Sequence, residues 1–167
     1  GTSGLASAAI PLAKAFGARV ITSVRSEDKA EKIKPLGADL VINSQTSDVA
    51  SVLAAEEKEG RPVNVSMDCL CGETLGKSLP YMARGGYWIV ISTLAGIETN
   101  VQLRPVLTKG LHLVGSTLRS RAPEYKAYIL SELVEKVWPK IEDGSIKPSM
   151  CRVLPITEAE NAHAILE

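Results

Sequence analysis

Hydrophobic and polar residues follow two alternating patterns along the chain. Apolar residues between Leu5 and Phe16 recur at helical spacing and stop before Gly17, which favours a helix with a glycine C-cap. The next segment, ARVITSV at 18–24, is short and rich in β-branched residues, which favours a strand. This change from helical to strand periodicity then repeats along the rest of the chain.

The repeated change of periodicity predicts a series of elements. Helices are predicted at 5–16, 26–37, 47–60, 72–86, 104–110, 123–144 and 157–167. Strands are predicted at 18–24, 38–43, 63–68, 87–92, 111–117 and 151–155. Strands that alternate with helices through short connections predict one α/β domain, in which a mostly parallel sheet is covered by helices on both faces.

Individual residues refine these boundaries. Pro123 suits the first position of its helix, and Thr157 with Glu160 forms a capping box. Pro11 and Pro80 lie inside predicted helices, where each would cost about 3 kcal/mol, so we expect a kink or a helix boundary at both. The strand YWIVIS at 87–92 has almost no polar residue and is expected to be buried on both faces.

Composition excludes several classes of partner. The 19 basic and 19 acidic residues cancel, so a nucleic acid is not the expected partner. No apolar stretch reaches the roughly 18 residues of a membrane span. The odd count of three cysteines gives no disulfide framework and suits a reducing cytoplasm. Cys69 and Cys71 lack the spacing of structural zinc ligands, so no metal site is predicted.

Two segments near the start of the chain are candidates for phosphate binding. GTSGLA at 1–6 precedes the first helix, where glycine admits a ligand and free N–H groups bind anions, although an ordinary turn explains the glycines equally well. The end of the next strand is where an NAD site usually has an acidic residue for the ribose 2′-hydroxyl. Arg25, Ser26 and Lys29 stand there instead and favour a 2′-phosphate, with a solvated helix start as the alternative.

Small and hydroxyl residues also follow three later strands. They occur in DCLCG (68–72), ISTLAG (91–96) and GSTLRSR (115–121). Ligands of open α/β sheets bind at such strand ends. No complete catalytic constellation is present, and His112 and His163 are expected to be structural or exposed.

Several segments together resemble a known family over essentially the whole chain. They are GTSGLASAAIPLAKAFGARVI, LGADLVIN, VNVSMDCLCGE, ARGGYWIVISTLAG, LHLVGSTLRSR and VLPITEAENAHAILE. In this order they resemble the quinone oxidoreductase branch, zeta-crystallin-like, of the medium-chain dehydrogenase/reductase superfamily. The resemblance implies a Rossmann-type, doubly wound cofactor domain over 1–167, cut from a larger protein. The first central strand and a GroES-like catalytic domain would then lie outside the chain.

The resemblance also implies an activity and a set of site residues. The activity is NADPH-dependent, zinc-independent hydride transfer to a quinone or activated alkene, with NADPH favoured over NADH and the catalytic residues mostly elsewhere. Thr2, Ser3, Gly4 and Leu5 would contact the pyrophosphate, and Arg25, Ser26 and Lys29 the 2′-phosphate, beside Ser44, which replaces a tyrosine of the family. Leu70, Ser92, Thr93, Leu94, Ser116, Thr117 and Leu118 would border the adenosine, the nicotinamide ribose and the nicotinamide.

Two other functions remain open at this point, and an assembly is expected. Related reductase domains reduce enoyl thioesters, and a non-catalytic role that only binds NADPH or is structural belongs to a different class. The segment LHLVGST at 111–117 would be an apolar edge strand, and such edges pair with other chains. A homodimer through this edge is therefore expected.

Overall fold

The computed structural model describes residues 3–147 and 152–166. The strands are β1 (Ile21–Val24), β2 (Leu40–Asn43), β3 (Val63–Asp68), β4 (Met82–Val90) and β5 (His112–Gly115). The helices are α1 (Gly4–Ala15), α2 (Glu27–Ile33), α3 (Val49–Lys58), α4 (Gly72–Ser78), α5 (Leu103–Lys109), α6 (Pro123–Lys136), α7 (Trp138–Glu142) and α8 (Ala159–Leu166). Strands and helices alternate as predicted as far as α6, and the α/β class is confirmed.

The strands form two parallel sheets. One has the order β1-β2 and the other β3-β4-β5. Among the described strands, β1 pairs only with β2 and β3 only with β4, so each of the two keeps one unpaired edge. This division agrees with the prediction of a Rossmann-type sheet that lacks a central strand. β5 lies at the outer edge of its sheet, as predicted.

Two hydrophobic clusters hold the helices against the strands. The first consists of Ile10, Val24, Ala30 and Ile33, from α1, β1 and α2. The second consists of Cys71, Leu75, Leu79, Met82, Trp88 and Leu111. Both clusters pack beneath strands whose carboxyl ends carry the predicted site residues.

The predicted helix 72–86 is wrong in its second half. α4 ends at Ser78, a 3₁₀ turn follows at Leu79–Tyr81, and β4 begins at Met82. The pairing register of β3 with β4 explains why residues 82–86 are not helical, since Val63 pairs with Met82 whereas Val65 pairs with Tyr87. β4 therefore bulges between these pairs, with Gly85 at φ +69°. Pro80 lies in the 3₁₀ turn, so a helix does end there, as expected.

α1 continues through Pro11, so no helix boundary lies at that residue. Four other expectations need correction. The predicted helix 123–144 is divided at Val137 into α6 and α7. Residues 152–155 of the predicted strand 151–155 are irregular, and Cys151 lies outside the described residues. Thr157 does not cap α8, because it lies in a 3₁₀ turn, Ile156–Glu158. β4 is not buried on both faces, since Trp88 is 3% exposed but Tyr87 is 44% exposed.

Candidate functional site

The end of β1 presents the residues predicted to bind a 2′-phosphate. Arg25 and Lys29 are exposed, and neither forms an ion pair with a carboxylate among the described residues. Ser26 is the N-cap of α2 and hydrogen-bonds the side chain of Asp28, which lowers the pKa of that carboxyl. No acidic side chain occupies the end of the strand itself. This part of the chain therefore offers two cations to an anion.

Ser44 lies beside this group because β2 runs parallel to β1. Its N–H and its hydroxyl both donate to the carbonyl oxygen of Val24, over 2.8 and 3.0 Å. Val24 pairs with Asn43 in the register of the two strands. The structure thus brings Ser44 next to the end of β1, where Arg25 follows Val24.

The beginning of α1 is exposed. Ser3 is the N-cap, and its Oγ accepts from the Ala6 N–H at 3.4 Å. A Cβ atom added to Gly4 would meet nothing within 4 Å, so packing among the described residues does not require glycine there. Leu5 is also exposed, and Thr2 lies outside the described residues. The open space over Gly4 suits close approach of a ligand.

The ends of β3 and β4 are joined through the Asp68 carboxylate. Oδ1 accepts from the N–H groups of Leu70 (2.8 Å) and Cys71 (3.1 Å). Oδ2 accepts from the indole Nε1–H of Trp88 in β4, at 3.0 Å. Burial, and then the negative charge of Asp68, raise the pKa of the Cys71 thiol, so this cysteine stays protonated.

Two loops interlock above this carboxylate. The N–H of Leu94 donates to Cys69 O at 3.1 Å, and that of Ala95 donates to Leu70 O at 2.8 Å. The thiol of Cys71 donates to Ser92 O at 3.1 Å. The structure therefore brings together the predicted residues Leu70, Ser92, Thr93 and Leu94.

The segment after β5 adds the last predicted residues. The Ser116 N–H donates to Val90 O at 2.8 Å, which places it beside the end of β4. The Thr117 hydroxyl hydrogen-bonds Ser120 at 2.9 Å, and Leu118 is 58% exposed. The Arg121 Nε–H donates to Thr117 O and its guanidinium lies 5.3 Å from the Tyr125 ring. These contacts fold the segment into a turn that exposes Leu118.

Apart from those at the start of α1, the described predicted residues thus form two groups that no hydrogen bond among the described residues joins. One is at the ends of β1 and β2 and the other at the ends of β3, β4 and β5. Two surface cavities lie elsewhere, one of about 260 Å³ beside Pro35 and Gly144 and one of about 110 Å³ beside Lys77 and Asn100. The candidate site is therefore an open edge formed by strand ends.

Asp68 is the residue that the sequence interpretation missed. Its signal was present, because an aspartate just after a strand often accepts from N–H groups of the following turn. The bond to Trp88 was not visible, because it depends on the register of β3 against β4.

No three His, Cys, Asp or Glu residues described here lie close enough together to hold a metal ion. None of the described helices has the length and apolar character needed to cross a membrane.

Known proteins match this sequence and fold. Residues 4–135 match the family described as zinc-binding dehydrogenase. Quinone oxidoreductase 1 of Escherichia coli (strain K12) is 30% identical over 162 residues, which cover 93% of this chain and 47% of that protein. The chain spans about half the length of the curated relatives it matches.

Solved structures match as well. The crystal structure of a 2-haloacrylate reductase superposes with a TM-score of 0.77 at 26% identity, covering 96% of this chain and 50% of that one. YHDH of E. coli K-12, solved with bound NADPH, has a TM-score of 0.66 at 23% identity, covering 80% and 40%. At that identity YHDH shows a common fold only.

Proposed function

The chain belongs to the zinc-binding dehydrogenase family, within the quinone oxidoreductase branch of the medium-chain dehydrogenase/reductase superfamily, and from that premise we propose that it is the cofactor-binding domain of an NADPH-dependent reductase. The observation that carries the proposal is the set of charged residues that follows β1. Arg25 and Lys29 are exposed there without ion-pair partners among the described residues, where an NAD site would have an acidic side chain. YHDH, which shares the fold, was solved with NADPH.

In this proposal the start of α1 and the two groups of strand ends each bind a different part of the cofactor. The start of α1, Ser3 to Leu5 together with Thr2, contacts the pyrophosphate through backbone N–H groups and hydroxyls. Arg25 and Lys29 hold the 2′-phosphate, and Ser26 and Ser44 border it. The loops with Leu70, Ser92, Thr93 and Leu94 border the riboses, and Ser116, Thr117 and Leu118 border the nicotinamide.

The chemistry in this proposal is divided between cofactor and protein. NADPH, when bound, supplies a hydride to a quinone or activated alkene, and a proton completes the reduction. This chain binds the cofactor, fixes the nicotinamide ring and keeps water from it with apolar residues such as Leu118 and Leu94, which are exposed here. A GroES-like domain supplies most contacts to the substrate. The reaction needs no zinc, and the free thiols of Cys69 and Cys71 suit the cytoplasm.

Titration of the purified protein with NADPH and NADH tests the cofactor part of the proposal. We expect both to bind and NADPH to bind more tightly. Absence of binding by either would refute the proposal, and equal affinities would refute the role of the 2′-phosphate.

Turnover assays with NADPH then separate the possible reactions. We expect reduction of a simple ortho-quinone, unchanged by a zinc chelator. Reduction of an enoyl thioester but not of the quinone would favour the thioester reductases of the same superfamily. Binding of NADPH with no turnover of either would favour a non-catalytic role.

The proposal includes a homodimer through β5. Its outer edge has no partner strand among the described residues, and Leu113 and Val114 are 54% and 40% exposed. An apolar edge strand of this kind pairs readily with a second copy.

A further inference from the structure

In the described part of the chain, the Asp68 side chain is the one that connects three segments. These are the end of β3, the end of β4, and the loop between β3 and α4. Asp68 Oδ1 accepts from the N–H groups of Leu70 and Cys71, at 2.8 and 3.1 Å. Its Oδ2 accepts from Trp88 Nε1–H at 3.0 Å. Trp88 is 3% exposed and belongs to the second hydrophobic cluster, so its hydrogen bond fixes the carboxylate relative to the hydrophobic core.

The backbone of the same residue continues this connection. The carbonyl oxygen of Asp68 accepts from the N–H of Ile91 at 2.8 Å, just where β4 ends. The loop 69–71 that the carboxylate holds accepts in turn from Leu94 and Ala95. A change at Asp68 is therefore transmitted to both loops that carry Leu70 and Ser92 to Leu94.

The conformation of Cys71 shows that the loop needs such support. Cys71 has φ +58° and ψ −132°, and it is the only non-glycine residue with positive φ in the described part of the chain. An L-residue adopts this conformation only where surrounding contacts impose it. Two such contacts hold Cys71, since its N–H donates to Asp68 Oδ1 and its thiol donates to Ser92 O.

We infer that Asp68 is a positioning residue of the cofactor site, which sets the two loops in the arrangement that receives the riboses of the cofactor. This inference rests on the proposed function, since it names the residue that shapes that site. Asp68 acts through Leu70, Cys71 and Trp88 and does not itself contact the cofactor. The carboxylate is needed because it accepts on both oxygens, whereas an amide accepts on one only.

Asp68→Asn tests the inference in the purified protein. Whichever way the amide is turned, its NH₂ group faces a donor, either Trp88 Nε1–H or the two loop N–H groups. We expect NADPH and NADH to lose affinity equally, by about tenfold, which corresponds to the loss of one charge-assisted hydrogen bond. We also expect faster amide hydrogen exchange within 69–72 and 92–96, with unchanged exchange in α2 and α3.

Trp88→Phe is the matched variant, because it removes the indole donor and leaves the carboxylate on the loop N–H groups. Trp88→Phe should lose less cofactor affinity than Asp68→Asn. The double variant should also lose less affinity than Asp68→Asn alone, since the amide NH₂ can then face residue 88, where no donor remains. If Asp68→Asn does not fold, the exchange of 92–96 in Trp88→Phe decides the question.

The outcomes separate this inference from the proposed function. Unchanged hydrogen exchange in both loops, in a variant that folds, would overturn the positioning role. Faster exchange with unchanged cofactor affinity would also overturn it. If the unmodified protein binds neither cofactor, the proposed function fails, and the inference fails with it whatever the exchange data show.

Discussion

The Ser44 hydroxyl donates to the carbonyl oxygen of Val24 over 3.0 Å, which fixes the end of β2 against the end of β1. The Ser44 N–H donates to the same oxygen over 2.8 Å. Because the hydroxyl proton is engaged in this way, Ser44 borders the proposed phosphate site without donating to it. The Ser26 hydroxyl proton is likewise engaged, by the Asp28 carboxylate. The side-chain donors left for a 2′-phosphate at these strand ends are therefore Arg25 and Lys29.

The double variant Arg25→Ala/Lys29→Ala should therefore lose NADPH affinity selectively. We expect at least a tenfold loss for NADPH, since a hydrogen bond to a charged group contributes about 1.5–3 kcal/mol, and little change for NADH. Fluorescence titration with both cofactors measures the two affinities. Ser44→Ala is the matched control, and its effect should be small and the same for both. Equal losses in the double variant, or a loss specific to NADPH in Ser44→Ala, would contradict this assignment.

Local patterns were enough to predict most of the fold. β3 was predicted as 63–68 and is observed as Val63–Asp68, because a β-branched run that ends in a polar turn has few alternatives. For the segment 82–86 the sequence predicts the end of a helix, because its glycine pair is typical of a helix end. It forms a bulge instead, and a bulge depends on the register of β4 against β3, which no local pattern encodes.

The candidate site was predictable to a similar extent. The sequence located the strand ends and their hydroxyl and basic residues, because parallel strands end at one side of their sheet. It did not reveal that Asp68 reaches Trp88, or that Cys71 adopts a positive φ. Both depend on contacts between segments 20 or more residues apart, which arise only after the strands pair.

Gly76→Ala should destabilise the protein. A Cβ at this position in α4 would lie 2.2 Å from Asn100 O and 2.5 Å from Thr99 Oγ1, so the loop before α5 must shift. We expect a loss of about 1–3 kcal/mol in the free energy of unfolding, as is typical of overpacking. Urea denaturation measures it. Gly115→Ala is the control, because an added Cβ meets nothing within 4 Å there. Equal stabilities of the two variants would contradict the contact.

Glu56 should give the protein a stability that depends on pH. Its carboxylate binds Arg19 at 2.7 Å and Arg61 at 3.1 Å, and it is 7% exposed. The hydrogen bond from Arg61, with the help of Arg19, holds the pKa of Glu56 below its usual 4.5. A depressed folded-state pKa means that this stabilisation is complete above the unfolded-state pKa and is lost as the pH falls through the folded-state value.

Glu56→Gln should therefore lower the free energy of unfolding at neutral pH, and the difference from the unmodified protein should shrink as the pH falls below 4.5. Urea denaturation across this range measures the difference. Glu31→Gln removes the carboxylate from an exposed pair with Lys34 and should have little effect at any pH. A difference between Glu56→Gln and the unmodified protein that does not change with pH would contradict the role of the carboxylate charge.

Leu113→Pro tests the homodimer proposed at β5. The Ser116 N–H points toward β4, where it donates to Val90 O, so by the two-residue period of a strand the Leu113 N–H points to the free outer edge. Proline at that position removes an outward donor and is tolerated at an edge, whereas His112→Pro would remove a donor facing β4. Light scattering after size-exclusion chromatography should show a dimer for the unmodified protein and a folded monomer for Leu113→Pro. A dimer that persists in Leu113→Pro would place the interface elsewhere, because pairing of two β5 edges requires those outward N–H groups.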